Sequence, residues 1–175
     1  MLKHLGVVAA AVTAMGVSAA QAGDLVDGKK GLGFTQAIGG PGSFAFNYGT
    51  GNLAIEGILG IDYNSPKDGD AAKAIKLGAG AHFLALRAEK AAWSVGGRVN
   101  IGNGDVGTES VTNFGLDIPM RVYWFADEHV SIHAEGGISV QMVGDKGSLF
   151  VPGAVEGNII RLLSPNAGMG MTFWW

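Results

Sequence analysis

The sequence contains no cysteine, which excludes disulfide frameworks, thiolate zinc sites and thiol catalysis. Charged residues are also scarce, at 15% of the 175 residues, whereas soluble domains carry roughly 25%. The formal net charge of −3 provides no basic excess for binding nucleic acid. Hydrophobic residues nevertheless make up 47% of the chain. Part of the surface of this single-domain chain is therefore expected to face something other than water.

The first 22 residues are typical of a cleaved secretory signal peptide. Lys3 supplies the basic start, Leu5 to Met15 form an apolar core, and Ala20-Gln21-Ala22 forms a small-residue cleavage site. The apolar run is shorter than the ~20 residues of a spanning helix. We therefore predict a signal peptide over 1–22 and one domain over 23–175. The mature part has no other run long enough for a spanning helix, so it is either exported and soluble or crosses a membrane as strands.

Period-two alternation dominates the mature part and predicts β-strands with two unlike faces. In Phe114–Trp124 every second residue is apolar, and Asp117, Pro119 and Arg121 fall on the other face. Pro119 is expected to mark a bulge or local distortion, because proline removes a ladder hydrogen bond. About eight such segments are predicted: 31–38, 43–48, 53–63, 75–86, 93–101, 114–124, 130–141 and 167–175.

The composition of the two faces indicates which side is the interior. The apolar faces carry no charge, and the opposite faces are dominated by glycine, serine and isolated charges rather than by many lysines and glutamates. Small residues with few charges suit the interior of a narrow barrel whose apolar outside faces lipid. The prediction is an all-β fold, a closed antiparallel up-and-down transmembrane β-barrel of about eight strands. A soluble barrel or sandwich is the alternative.

The connections are expected to differ at the two ends of the barrel, with short inner turns and longer outer loops. Short turns are predicted at 49–52, 88–92 and 126–129, and longer loops at 65–74, 102–110 and 143–165, whereas the first outer loop at 39–42 is short. In the last loop, Leu149–Val151 and Ile159–Leu163 are apolar. Either the final hairpin extends beyond the membrane and buries them against itself, or they form an exposed patch that binds a partner.

Aromatic residues cluster at the strand ends beside the short turns. Among them we assign Trp93, Trp124, Phe173 and Trp175 to an outward aromatic rim at the membrane interface. In the last strand, Trp174 is expected to point inward beside Gly168, Gly170 and Thr172, because period two leaves no other assignment once Met169 and Met171 face lipid.

Two segments resemble a known family. Gly168–Trp175 resembles the terminal strand of bacterial outer-membrane proteins, which ends in an aromatic residue recognised by the assembly machinery. Ile118–Asp127 followed by His129–Gly137 resembles a strand–turn–strand of the outer membrane protein A and X types. The resemblance implies location in the bacterial outer membrane, with its lipid and the barrel assembly machinery as partners. It does not imply one activity, since members serve as adhesins, anchors, small pores and lipid-modifying enzymes.

The inward faces carry three acids and three bases, which are Glu56, Lys76, Arg98, Asp117, Arg121 and Glu135. An unpaired charge is costly in a narrow, dehydrated lumen. We interpret the six residues as a structural ladder of paired charges that plugs the barrel. Together with the aromatic rim, they are the candidate site residues of this chain. The alternative is the polar lining of a pore.

Two further patterns are weak. His129, Ser131, His133 and Glu135 share one strand face and could suggest a hydrolase, but His129 and His133 would lie about 13 Å apart. Gly102–Gly107 matches G-x-G-x-x-G without a following helix. We therefore expect no catalytic residue, metal or cofactor. The predicted function is structural or surface contact, with a possible ligand at the outer loops; a small-solute pore is the alternative, and a lipid-modifying enzyme ranks third.

Overall fold

The computed structural model describes residues 26–36, 42–64, 72–106, 109–144, 146, 148–149, 157–162 and 168–175. The predicted signal peptide lies outside these residues, as do most of the loops at the end opposite the short turns. No helix among the described residues is long and apolar enough to cross a membrane.

The described residues form nine strands of one antiparallel sheet. The register between neighbouring strands is regular apart from a shift between Leu84 and Leu86 and a gap at Pro119. Most follow the alternation predicted from the sequence. Their bounds are β1 Lys30–Gln36, β2 Gly42–Thr50, β3 Leu53–Asn64, β4 Ala72–Arg87, β5 Ala91–Val106, β6 Glu109–Phe125, β7 Val130–Val143, β8 Gly157–Leu162 and β9 Gly168–Trp174.

The sheet closes on itself. Its order is β6-β5-β4-β3-β2-β1-β9-β7, and β6 also pairs with β7. Strands β8 and β9 pair with successive halves of the same edge of β7, β8 with Ile138–Val143 and β9 with Val130–Glu135. The nine segments therefore occupy eight positions around a closed barrel. The predicted fold class, a closed antiparallel barrel of about eight strands, is confirmed.

The two faces of the barrel wall divide as the alternation predicted. On β6, Leu116 is 50% exposed and Ile118 is 44% exposed, whereas Asp117 between them is 1% exposed. The same pattern recurs on the other strands, with large apolar side chains outside and glycine, serine and charged side chains inside. Most of the interior is a packed polar core, and the outside is an apolar surface.

The observed strands differ from the prediction mainly at the end opposite the short turns, where several of them are longer. Residues 102–106 and 109–110, predicted as loop, continue β5 and β6 as a paired hairpin up to Val106↔Glu109. Residues 157–162, also predicted as loop, form β8. The hairpin was missed because both faces of β5 and β6 become polar or glycine-rich at this end, so alternation fades while backbone pairing continues. Strand β8 was missed because Ile159 and Ile160 are consecutive apolar residues, so this short strand shows no alternation.

Pro119 interrupts the ladder between β5 and β6 without shifting its register. Paired residues run on both sides of the gap, at Val95↔Met120 and Arg98↔Asp117. On the other side Pro119 pairs with Gly137, whose φ is +152° and whose position would bring any Cβ into contact with the Ile118 carbonyl. The expected local distortion is present, but it is a gap of two pairs, at Gly96–Pro119 and Gly97–Ile118, and not a bulge.

Candidate functional site

Five charged side chains inside the barrel form one connected cluster, which we call the ion cluster. Its members are Glu56 on β3, Arg98 on β5, Asp117 and Arg121 on β6, and Glu135 on β7. Each lies at an inward position of its strand, and none is more than 2% exposed. The arrangement is thus a dry network of opposite charges, for which hydrogen bonding of every member is the condition of stability.

Arg98 connects three carboxylates. Its Nη2 donates to Glu135 Oε1 at 2.7 Å and to Asp117 Oδ2 at 2.9 Å, and its Nη1 donates to Glu56 Oε1 at 3.2 Å. Asn100 Nδ2 also donates to Asp117 Oδ2, at 2.7 Å. A planar guanidinium with five N–H donors can bind several carboxylates at once. One arginine therefore links side chains from three other strands.

Arg121 also contacts Glu56 and Glu135, the two glutamates that Arg98 binds. Its Nε lies 2.6 Å from Glu135 Oε2, and its Nη1 lies 2.6 Å from Glu56 Oε2. Strands β3 and β7 are four positions apart in a ring of eight, so Glu56 and Glu135 project from opposite walls. The ion cluster consequently spans the full width of the lumen.

Lys76 belongs to a different layer. It pairs with Gly60 and Gly102, whereas Gly80 on the same strand pairs with Arg98. Four residues along a strand correspond to about 13 Å. Lys76 is buried and faces inward, as predicted, but the structure places it toward the long-loop end and not within the ion cluster.

Two buried histidines flank the ion cluster. His82 Nε2 lies 3.7 Å from Glu56 Oε1, and His133 Nε2 is hydrogen-bonded to Thr35 Oγ1 at 3.1 Å. Neighbouring glycines provide the space for both rings, since a Cβ on Gly96 would lie 2.8 Å from His82 Nδ1 and one on Gly170 would overlap the His133 ring. The abundance of inward glycine thus has a volume reason.

The four residues that could suggest a hydrolase are each bound elsewhere. Ser131 Oγ accepts a hydrogen bond from Trp174 Nε1 at 2.9 Å, and His129 Nδ1 is bonded to the Trp174 carbonyl at 3.0 Å. His133 is bonded to Thr35 and Glu135 to the two arginines. No nucleophile–base pair is formed among them.

Apolar side chains fill the lumen at the short-turn end, and we call them the apolar plug. The group packs Val26 from the segment before β1 against side chains of four strands: Leu84, Ala92, Tyr123, Phe125 and Trp174. Backbone hydrogen bonds fix the Val26 segment, with Gly28 N donating to Gly49 O and Gly49 N donating to Lys29 O, both at 2.9 Å. Alternation predicted Trp174 inside, and this is confirmed; nothing in the sequence pattern indicated Val26.

At the long-loop end, the segment after β7 folds back onto β6. Leu149 N donates to the buried side chain of Asn113 at 2.8 Å, and Ser148 is buried beside it. Lys146 Nζ forms an ion pair with Glu109 Oε2 at 3.0 Å. Of the two apolar stretches in this loop, Ile159 and Ile160 lie on β8, where Ile160 is exposed on the outside; Phe150, Val151 and Leu163 fall outside the described residues.

The aromatic side chains at the short-turn end divide between the two faces. Trp124, Phe173 and Trp175 are each more than half exposed on the outside, and Trp93 is partly exposed. Tyr123, Phe125 and Trp174 point inward into the apolar plug. The Phe173 and Trp175 rings stack with centroids 6.2 Å apart. The aromatic residues at this end therefore form an outer belt on one face of the wall and part of the apolar plug on the other.

The similarity of this chain to known proteins is structural and loose. No family model matches the chain, and no curated protein matches it. Among solved structures, the chain is similar to Ail, the attachment invasion locus protein of Yersinia pestis, with 9% identity, a TM-score of 0.41 and coverage of 85% of this chain and 99% of that one.

Among the described residues, no group of three or more potential ligands could hold a metal ion.

Proposed function

We propose that this chain is an integral outer-membrane protein of a Gram-negative bacterium, a closed β-barrel that does not conduct solutes. It acts as a structural element or a surface contact through its long-loop end. The single observation that carries the membrane assignment is the apolar outside of the barrel.

The dimensions of the apolar outside match a membrane. On β4 the outward apolar side chains run from Ile75 to Leu86. This stretch is about 36 Å along the strand, or about 28 Å along the membrane normal at a tilt near 40°. Transmembrane barrels carry an outward apolar band of roughly 25 Å. A soluble protein of this size would leave its largest apolar surface in water.

The ion cluster and the apolar plug support a closed lumen. Arg98 and Arg121 connect opposite walls of the barrel through Glu56 and Glu135. The apolar plug closes the short-turn end independently. A small-solute pore would require both layers to open.

The long-loop end is the part available for contact. Strand β5 has 16 residues, about 53 Å of chain and about 40 Å along the normal, which exceeds the apolar band by roughly 15 Å. The β5–β6 hairpin and the Lys146–Glu109 ion pair form an ordered polar extension beyond the band.

Cell fractionation combined with planar-bilayer recording tests this proposal. We expect the processed protein in the outer-membrane fraction, a heat-modifiable shift in detergent gels, and no stable channels. Recovery from the soluble periplasm would overturn the membrane assignment. Channels of reproducible size would overturn the closed lumen and favour the pore.

The absence of cysteine allows a clean test of orientation. A single Lys73→Cys variant at the long-loop end should react with a membrane-impermeant maleimide on intact cells, because Lys73 is exposed at that end of β4. The matched Lys90→Cys variant, exposed in the turn between β4 and β5, should react only after permeabilisation. The reverse pattern would contradict the proposed orientation.

The terminal strand is proposed to recruit the barrel assembly machinery. Phe173 and Trp175 stand on the outer face beside the closing strand β1. Deletion of Trp175 should lower outer-membrane levels, whereas a Trp175→Phe variant, which keeps an aromatic end, should not. Normal levels of the deleted protein would contradict this role.

A further inference from the structure

The segment that precedes β1 reaches into the short-turn end of the lumen with a single side chain. Val26 is 3% exposed within the apolar plug, whereas the next two residues, Asp27 and Gly28, are exposed. Backbone hydrogen bonds between Gly28, Lys29 and Gly49 hold the segment against the end of β2. We call residues 26–29 the strap, because they tie one buried side chain to the end of the barrel wall.

The docking site of the strap depends on a glycine. Gly49 faces inward on β2, and a Cβ at this position would overlap the backbone carbonyl of Val26. A side chain at position 49 and a docked strap therefore exclude each other. The φ of Gly49 is not positive, so the strand itself would accept an alanine there. The glycine consequently leaves room for the strap and is not required by the backbone of β2.

The strap has a hinge and exposed anchors. Gly28 has a φ of +70°, which glycine adopts without strain, and no atom lies within 4 Å of the position of a Cβ there. The side-chain anchors are exposed: Asp27 Oδ1 accepts from Gly51 N at 2.6 Å, and Lys29 Nζ donates to Glu128 O at 2.9 Å. A segment with one buried side chain and exposed hydrogen bonds opens locally at a much lower free energy than the barrel wall.

We propose that the strap opens and closes the short-turn end of the lumen by swinging about Gly28. When the strap is docked, Val26 covers the rest of the apolar plug. When the strap is open, the remaining side chains form an apolar pocket that faces the solvent at the short-turn end. The ion cluster lies deeper in the lumen and stays closed in both states. The pocket is lined by Leu84, Ala92, Tyr123, Phe125 and Trp174.

Single cysteines report the position of the strap, because the sequence contains none. The reaction with a polar maleimide is timed in detergent micelles at Ala92→Cys in the plug, at Lys90→Cys in the exposed turn and at Ser139→Cys, which is buried beside Asp117 of the ion cluster. We expect Ala92→Cys to react roughly 10–100-fold more slowly than Lys90→Cys, since only the open fraction reacts, and Ser139→Cys to stay unreactive. Equal protection of Ala92→Cys and Ser139→Cys would overturn the opening, and equal reactivity of Ala92→Cys and Lys90→Cys would overturn the docked state.

Substitutions at the docking site separate the strap from the wall. Gly49→Ala should raise the reaction rate of Ala92→Cys about tenfold and leave Ser139→Cys unreactive. Gly57→Ala, at an outward glycine with open space around it, should change neither rate. Val26→Asp leaves β2 unchanged and should act like Gly49→Ala, so the proposal stays testable if the latter does not fold. An unchanged rate in the folded variants, or reaction of Ser139→Cys together with Ala92→Cys, would overturn local opening by the strap.

Discussion

The ion cluster and the apolar plug fill neighbouring parts of the same lumen with opposite chemistry. In the ion cluster each carboxylate is held by an arginine from another strand, so the removal of one member leaves others unpaired. In the apolar plug each side chain contributes by burial, and a smaller neighbour leaves only a cavity. Tyr123 belongs to both, since its ring lies in the plug and its hydroxyl accepts from Arg121 Nη1 at 3.2 Å. The comparison shows two ways of sealing a barrel, one cooperative and one close to additive.

The largest expected effect is loss of an arginine from the ion cluster. Arg121→Met should lower the free energy of unfolding by about 3–5 kcal/mol, because Glu56 and Glu135 then face each other with one guanidinium fewer. Denaturant unfolding in detergent micelles measures this loss.

A double variant shows whether the effect is cooperative. Adding Glu56→Gln to Arg121→Met returns the ion cluster to its original formal net charge and should recover much of the lost stability. Equal stabilities of the single and the double variant would contradict a cooperative ion cluster.

A charge on the outside of the wall should also be harmful, because that face is apolar. Met171 is outward and exposed on β9, so Met171→Arg should cost roughly 2–4 kcal/mol, more the nearer it lies to the membrane midplane. The matched Met171→Leu variant should be close to neutral. Equal heat-modifiability and outer-membrane levels of both variants would show that this face does not meet lipid.

Substitutions in the apolar plug should lower the free energy of unfolding by smaller amounts. Val26 is 3% exposed, and Val26→Ala should cost about 1–2 kcal/mol through lost burial and the cavity. Val26→Ile should cost less, and unfolding midpoints in the same detergent compare the two. No measurable cost for Val26→Ala would mean that the segment before β1 does not seal the barrel.

The smallest effect is expected at Thr172, next to Trp174. Alternation alone suggests that Thr172→Ser, on the inner face, is nearly silent. The structure adds a cost of about 0.8 kcal/mol for the buried methyl group, because Thr172 Cγ2 occupies the space 2.6 Å from where a Gly31 Cβ would be. A loss as large as that of Arg121→Met would contradict the contrast between the two layers.

The sequence predicted which side chains point into the barrel and which point outward, but it did not predict which charged side chains form ion pairs. The pleat of a strand alone places Asp117 and Arg121 inside and Phe173 outside, and the structure agrees. Which charges meet depends on closure: Glu56 and Glu135 are far apart in sequence and become neighbours only because β3 and β7 are opposite walls. Lys76 was grouped with the ion cluster because alternation indicates the face of the sheet but not the position of a residue along the barrel axis.

The ends of the strands and the apolar plug could not be predicted from the sequence for a related reason. Alternation marks a strand only where one side meets an apolar environment, so the polar ends of β5 and β6 carried no signal. Val26 precedes the first strand and belongs to no pattern. Its burial follows from backbone bonds to Gly49 that appear only once the barrel has closed.

The pairing of β1 with β9 has a consequence for the timing of folding. Gly31 pairs with Trp174 and Phe34 with Met171, so the seam joins the earliest strand to the latest one. Closing it requires ordering nearly all of the intervening chain, which makes the step slow. Any chain that has been released without β9 exposes unpaired edges of both β1 and β7, and such edges are prone to aggregation. The barrel therefore cannot close during synthesis before β9 has emerged.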